Sequence, residues 1–148
     1  MAIDQVTPPD ARAALDADPE VVYLDVRTEM EFAQGHPEGA INIPVAIPNP
    51  GGGMAPNPDF LAVVEKILPP EKPIYCGCQS GIRSQMAAEI LNGAGYARPV
   101  NVQGGFGGRV NPATGMVEVP GWRDSGLPVS TEVTRENSYQ GLKKKAGV

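Results

Sequence analysis

Cysteine is scarce: the 148 residues hold only Cys76 and Cys78. Two cysteines that close in sequence do not build a disulfide framework, so they read as free thiols and suit a reducing compartment, with the cytoplasm as the default. Histidine is scarcer still, with His36 alone. Cysteine and histidine therefore do not complete the ligand set of a typical structural zinc site, and neither a metal nor any other cofactor is expected. No apolar run approaches the roughly 20 residues that cross a bilayer. Met1-Ala2-Ile3-Asp4-Gln5-Val6 has neither the basic start nor the apolar centre of a secretory leader. Positive charge is in deficit as well: 12 Lys and Arg against 17 Asp and Glu leave a net charge of −5. That balance disfavours nucleic acid and anionic membrane as partners, and any attraction for a small anion must be local.

What is present suffices for one domain. A hydrophobic share of 41% supports a single core, and 18 Gly with 16 Pro predict long turns. Thr7-Pro8-Pro9-Asp10 opens a short helix to about Leu15, with Thr7 as cap and proline in the first turn. Val21 to Asp25 is a near-continuous apolar run, as expected of a strand buried on both faces. Thr28 and Glu31 form a capping box for a helix to about Gln34. Ile41 to Ile43 is a short strand. Residues 44–57 are so rich in Pro and Gly that no regular element is expected. They read either as a solvated loop or as a flap beside the reactive pocket with Met54 as an apolar contact. Asn57-Pro58 starts a helix whose apolar face is Phe60, Leu61, Val63, Val64, Ile67 and Leu68, and Pro69-Pro70 ends it. Strands alternating with helices argue an α/β domain with a mostly parallel sheet.

The chemistry concentrates in Ile74-Tyr75-Cys76-Gly77-Cys78-Gln79-Ser80-Gly81-Ile82-Arg83-Ser84. The stretch begins as a buried strand, turns through a small polar loop and runs into an Ala-rich helix that stops at Asn92-Gly93-Ala94-Gly95. Cys78 thus falls at a strand end, facing a helix N-terminus. Unpaired N–H groups there, a loop that aims further N–H groups at one point, and the fixed cation of Arg83 all favour thiolate over thiol. The same cradle would hold an anion bonded to that sulfur. Cys76 reads as a small buried apolar residue or as a resolving thiol for Cys78.

Beyond the strand Val100-Asn101-Val102 comes Gly104-Gly105-Phe106-Gly107-Gly108. Its spacing is not that of a dinucleotide-binding turn. Residues 107–120 read as an inserted hairpin turning at Asn111-Pro112-Ala113-Thr114-Gly115. Residues 130–148 read as a polar tail, with Lys143-Lys144-Lys145 solvated and a short helix around Tyr139 and Leu142 docking on the domain. Asp25 and Arg27, charged residues at a strand end, form a structural ion pair or orient the reactive loop. His36 would be the base of a Cys–His dyad, but nothing else in the sequence supports one.

Cys78-Gln79-Ser80-Gly81-Ile82-Arg83-Ser84 resembles the reactive loop of the rhodanese family. Three other stretches resemble that family in the same order. They are Tyr23-Leu24-Asp25-Val26-Arg27, Gly35-His36-Pro37-Glu38-Gly39-Ala40-Ile41-Asn42-Ile43-Pro44, and Trp122 with Gly126-Leu127-Pro128-Val129. The likeness covers roughly residues 5–129 and is nearest to single-domain rhodaneses of the plant senescence-associated and bacterial type, which share the Asn-Pro-x-Phe stretch before the central helix.

The resemblance implies a rhodanese-like α/β fold over residues 1–129, with a mostly parallel central sheet of about five strands and helices on both faces. It implies a sulfurtransferase in which Cys78 takes a sulfane sulfur from thiosulfate or a persulfide and passes it to a thiol, cyanide or a protein acceptor. Gln79, Ser80, Gly81, Ile82 and Ser84 would hold the sulfur, and the Arg83 side chain would bind the donor anion or brace the loop. Asp25, Arg27 and His36 would be structural, His36 as a turn residue. Phosphatases and arsenate reductases on the same fold place five residues between Cys and Arg, whereas four separate Cys78 from Arg83. Neutral Gln79 stands where thiosulfate users often carry a basic residue. A non-enzymatic persulfide carrier or sensor therefore stays open as an alternative.

Overall fold

Val22–Asp25 is apolar until its last residue, and the chain hides it by pairing it on both edges. The computed structural model describes residues 3–148, so the part of the leader reading that rests on Met1 and Ala2 lies outside the described residues. The elements are β1 (Asp4–Val6), α1 (Pro8–Ala17), β2 (Val22–Asp25), α2 (Glu29–Gln34), β3 (His36–Pro37), β4 (Ile41–Asn42), β5 (Ala46–Pro48), β6 (Met54–Pro56), α3 (Phe60–Ile67), β7 (Ile74–Gly77), α4 (Ile82–Gly93), β8 (Val100–Val102), β9 (Arg109–Val110), β10 (Val117–Val119), β11 (Val129–Ser130) and α5 (Tyr139–Ala146). No helix among the described residues is long and apolar enough to cross a membrane.

The central sheet has five strands in the order β1-β8-β7-β2-β4, and every neighbouring pair is parallel. A parallel sheet is stable only when both faces are covered. Val63 and Val64 of α3, Ala87, Ala88 and Leu91 of α4, and Leu142 of α5 pack on one face against Leu24, Val26, Ile74 and Cys76. Ala11 of α1 and Phe32 of α2 pack on the other, around Tyr23, Val102 and Trp122. Helix α2, which follows β2, and helix α4, which follows the adjacent β7, therefore leave to opposite faces. The crevice that opens where neighbouring strands diverge in this way is where open α/β sheets bind ligands. Arg27 and Cys78 lie just past the two strand ends.

Local chemistry sets the helix starts. The Thr7 N–H and hydroxyl donate to Asp10 Oδ2 at 3.2 and 2.9 Å. The Glu31 N–H donates to Thr28 Oγ1 at 3.2 Å, and the Thr28 N–H donates to Glu31 Oε1 at 3.1 Å. Asn57 Oδ1 accepts from the Asp59 N–H at 3.0 Å, so Asn57 caps a turn that leads into α3 two residues later than expected.

Two sequence expectations change. The 44–57 segment is not free of regular structure: β5 and β6 pair as an antiparallel ribbon, Ala46 opposite Pro56 and Pro48 opposite Met54. Two-stranded ribbons have a solvent side on each strand, so proline's missing N–H is tolerated there. His36 sits in a two-residue strand paired with β11 rather than in a turn. In the 130–148 segment the expected short helix is α5, which buries Tyr139 and Leu142 in the main core. Residues 107–120 form the β9–β10 hairpin, with Val117 opposite Val110.

Candidate active site

Strand β7 gives way to the loop at Gly77, where a side chain would run into the Tyr23 phenol of the neighbouring strand. Cys78 follows at once and is 2% exposed. The loop turns back at Gly81, whose φ of 111° is a left-handed conformation that glycine adopts without a Cβ penalty. That turn aims the Gly81 N–H at Cys78 Sγ, 3.1 Å away. Ser84, in the first turn of α4, places its Oγ 3.3 Å from the same sulfur.

The Gly-rich segment after β8 backs the loop. The Phe106 N–H donates to the Cys78 carbonyl at 2.8 Å, and the Gly107 N–H donates to the Gln79 carbonyl at 2.9 Å. Across a trans peptide the N–H points opposite to the carbonyl. Holding those two carbonyls toward the Gly-rich segment therefore turns the N–H groups of Gln79 and Ser80 away from it. The approach needs glycine: a Cβ on Gly105 would strike the Cys78 carbonyl, and one on Gly107 would strike the Gln79 side-chain amide.

Asn101 is a buried polar residue between two valines of β8, and that contrast is its sole distinguishing mark in the sequence. Its Nδ2 donates to the Gly81 carbonyl at 3.3 Å and to Gln5 Oε1 at 2.8 Å. A backbone carbonyl only accepts, so the amide is oriented with Oδ1 toward Ser84, whose hydroxyl donates to it at 2.6 Å. Gln5 Nε2 continues the chain of bonds to Gln85 Oε1 at 2.6 Å. Asn101 thus grips both residues that touch the sulfur, from 17 and 20 residues away.

The charged residues form pairs. Arg27 Nε and Nη2 donate to Asp25 at 3.0 and 2.8 Å, both residues are buried, and Nη2 also reaches the Gly35 carbonyl at 2.6 Å. Arg27 Nη1 lies 3.4 Å from Gln79 Oε1. Arg83 turns from the loop to Glu31, with Nη1 and Nη2 at 2.7 and 2.9 Å from its two oxygens. Burial alone would raise the Glu31 carboxyl. The Arg83 hydrogen bonds and charge, with those of Thr28, outweigh it and bring the group down to about 2. The carboxylate expected only as a helix cap is also the anchor of the arginine.

His36 is buried, stacks on Phe32 at 3.6 Å between centroids, and its Nδ1–H donates to the Phe32 carbonyl at 2.7 Å. Cys76 is fully buried among core aliphatics, and burial pushes its thiol up. Ser80 is half-buried, and Ile82 projects into solvent at 74% exposure. A cavity of about 520 Å³ opens beside the loop, lined by Arg27, Glu31, Gln34, Gly35, Gln79, Phe106 and Arg123. None of its lining comes from residues 44–57. The site can hold a sulfur nucleophile against the Gly81 N–H, with the guanidinium groups of Arg27 and Arg123 lining the cavity beside it.

A family model described as a rhodanese-like domain matches residues 7–109. Thiosulfate sulfurtransferase 18 of Arabidopsis thaliana is 40% identical over 112 residues, spanning 74% of this chain and 72% of that protein. Senescence-associated protein DIN1 of Raphanus sativus is 39% identical over 107 residues, spanning 72% of this chain and 51% of that protein. Among solved structures, the crystal structure of Rv0390 from M. tuberculosis is similar with a TM-score of 0.72 at 29% identity, covering 89% of this chain and 100% of that one.

Proposed function

The chain belongs to the rhodanese family, and from that premise we propose that it is a sulfurtransferase working through a persulfide on Cys78. Cys78 thiolate attacks the sulfane sulfur of the donor. A new S–S bond forms to Cys78 while the donor's own bond to that sulfur breaks with its electron pair, releasing sulfite when the donor is thiosulfate. The outer sulfur of the persulfide carries the negative charge. Cyanide or a thiolate then attacks that outer sulfur, and Cys78 leaves as thiolate, ready for the next cycle.

The observation that carries this reading is the Gly81 N–H aimed at Cys78 Sγ at 3.1 Å, with Ser84 Oγ 3.3 Å from the same sulfur. A preorganised donor of this kind stabilises charge on sulfur without reorganising. Arg83, held by Glu31, supports the loop from outside. The Asp25–Arg27 pair fixes the end of β2 beside it. Cys76, enclosed by the core, serves packing. Two free thiols in the described chain fit a reducing compartment such as the cytoplasm.

Intact mass after brief thiosulfate treatment, beside Cys78→Ser, tests the reading. A gain of one sulfur, about 32 Da, that dithiothreitol reverses and the variant lacks is the expected result. No gain from thiosulfate but a gain from a low-molecular-weight persulfide would instead favour a carrier that meets its donors as persulfides. No gain from either would overturn the reading.

A further inference from the structure

Three guanidinium groups stand around the reactive loop, and they are not equivalent. Arg83 spends both terminal nitrogens on Glu31. Arg27 is locked to Asp25 and Gly35, with only Nη1 turned toward Gln79 at 3.4 Å. The Arg123 side chain has one hydrogen bond among the described residues, from Nε to the neighbouring Asp124 at 3.4 Å, and both side chains are more than half exposed. An exposed pair of that kind holds its partner weakly. Yet Arg123 lines the cavity beside Gln79. Its guanidinium carbon lies 5.6 Å from the centre of the Phe106 ring, on which Arg27 also packs at 4.6 Å. The Phe106 N–H in turn holds the Cys78 carbonyl.

Charge bookkeeping singles out the same residue. Of the charged groups that line the cavity, Arg27 and Arg123 outnumber Glu31, in a chain that is acidic as a whole. Glu31 is held at 2.7 Å by Arg83 and Arg27 at 2.8 Å by buried Asp25, whereas among the described residues Arg123 has only the exposed contact with Asp124 at 3.4 Å. Its nitrogens are free to fork onto an oxyanion, the recognition for which a planar guanidinium is suited.

We propose that Arg123, assisted by the Arg27 Nη1, is the residue that recognises the anionic end of the sulfur donor. The donor class is a small molecule with a sulfonate-like end and a sulfane sulfur at the other, as in thiosulfate and organic thiosulfonates. The inference rests on Cys78 being the sulfur-accepting nucleophile. Arg123 holds the oxyanion at the mouth, and the sulfane sulfur points inward to Cys78.

The experiment separates this inference from the sulfurtransferase reading. The rate of Cys78 alkylation by anionic iodoacetate is divided by that by neutral iodoacetamide, for the wild type, Arg123→Gln and Arg123→Lys, with the modified residue mapped by mass. Beside it, the KM for thiosulfate is measured with cyanide as acceptor. Expected are a ratio about tenfold lower in Arg123→Gln, largely restored in Arg123→Lys, an unchanged iodoacetamide rate, and a thiosulfate KM raised about tenfold. An unchanged ratio in Arg123→Gln overturns the proposal, whatever the wild type does with thiosulfate. A lowered ratio in a protein that does not turn over thiosulfate upholds Arg123 as the anion contact and sinks thiosulfate as donor.

Discussion

Cys76 lies inside β7 and Cys78 in the loop just past its end, and both are hidden from water, at 0% and 2% exposure. Around Cys76 nothing replaces the lost water: its neighbours are core aliphatics, and burial pushes the thiol up. Around Cys78 the protein supplies polar groups of its own, the Gly81 N–H and the Ser84 Oγ. Burial alone therefore does not distinguish an inert thiol from a reactive one; what the protein puts in place of water does.

The largest expected effect is Cys78→Ser, which removes sulfur loading and lowers steady-state transfer by about a thousandfold or more, whereas Cys76→Ala stays within about threefold of wild type. Comparable losses in both, measured with thiosulfate and cyanide, would erase the contrast between strand and loop. Next comes Gly105→Ala. The new Cβ meets the Cys78 carbonyl, and displacement of the loop slows transfer about a hundredfold. Activity near wild type would show that the Gly-rich backing does not position the loop.

Ser84→Ala is expected to cost about tenfold, and Asn101→Ala nearly as much, because Asn101 acts through Ser84 and Gly81. The double variant then loses little more than either single one; full additivity would mean that the two act separately. The smallest effect is on stability, at Glu31, which lines the cavity beside the loop. Its carboxyl stands at about 2 in the folded protein against about 4.3 in an unfolded chain. A lowered folded-state value means that the stabilisation is fully present above the unfolded value and is lost as pH falls through the folded one. Urea unfolding of wild type and Glu31→Gln should therefore differ most above about pH 4.5 and converge toward pH 2, by no more than about 1 kcal/mol for a pair still in reach of solvent. A gap that widens on acidification would refute the pairing.

Much of this architecture was legible in local signals. The apolar run of β2, the capping box at Thr28 and the strand-to-helix passage around Cys78 each follow from a few adjacent residues. What stayed hidden depends on distant partners. Arg83 and Glu31 meet across 52 residues, and Glu31 already had a sufficient local role as a cap. Asn101 was one polar residue in an apolar strand, and its grip on Ser84 and Gly81 exists only once β8 lies beside β7. The β5–β6 ribbon escaped notice because proline and glycine signal breaks more loudly than short antiparallel pairing does. Arg123 stands inside the stretch from Trp122 to Val129 but outside the residues that carry its family likeness, and only the commitments of Arg27 and Arg83 make it distinctive.

The docking of α5 reaches further than the core it fills. Tyr139 Oη accepts from Asn57 Nδ2 at 3.0 Å, and the Asn137 carbonyl just before the helix accepts from the N–H of Asn42 at 2.8 Å. Asn42 belongs to β4, one margin of the central sheet. An open margin is a template on which another chain can add a strand and begin to aggregate. Asn137 occupies that template with a backbone group of the same molecule. The segment beyond the family-matched residues 7–109 thus works as an edge guard, keeping the sheet from recruiting strands of its neighbours.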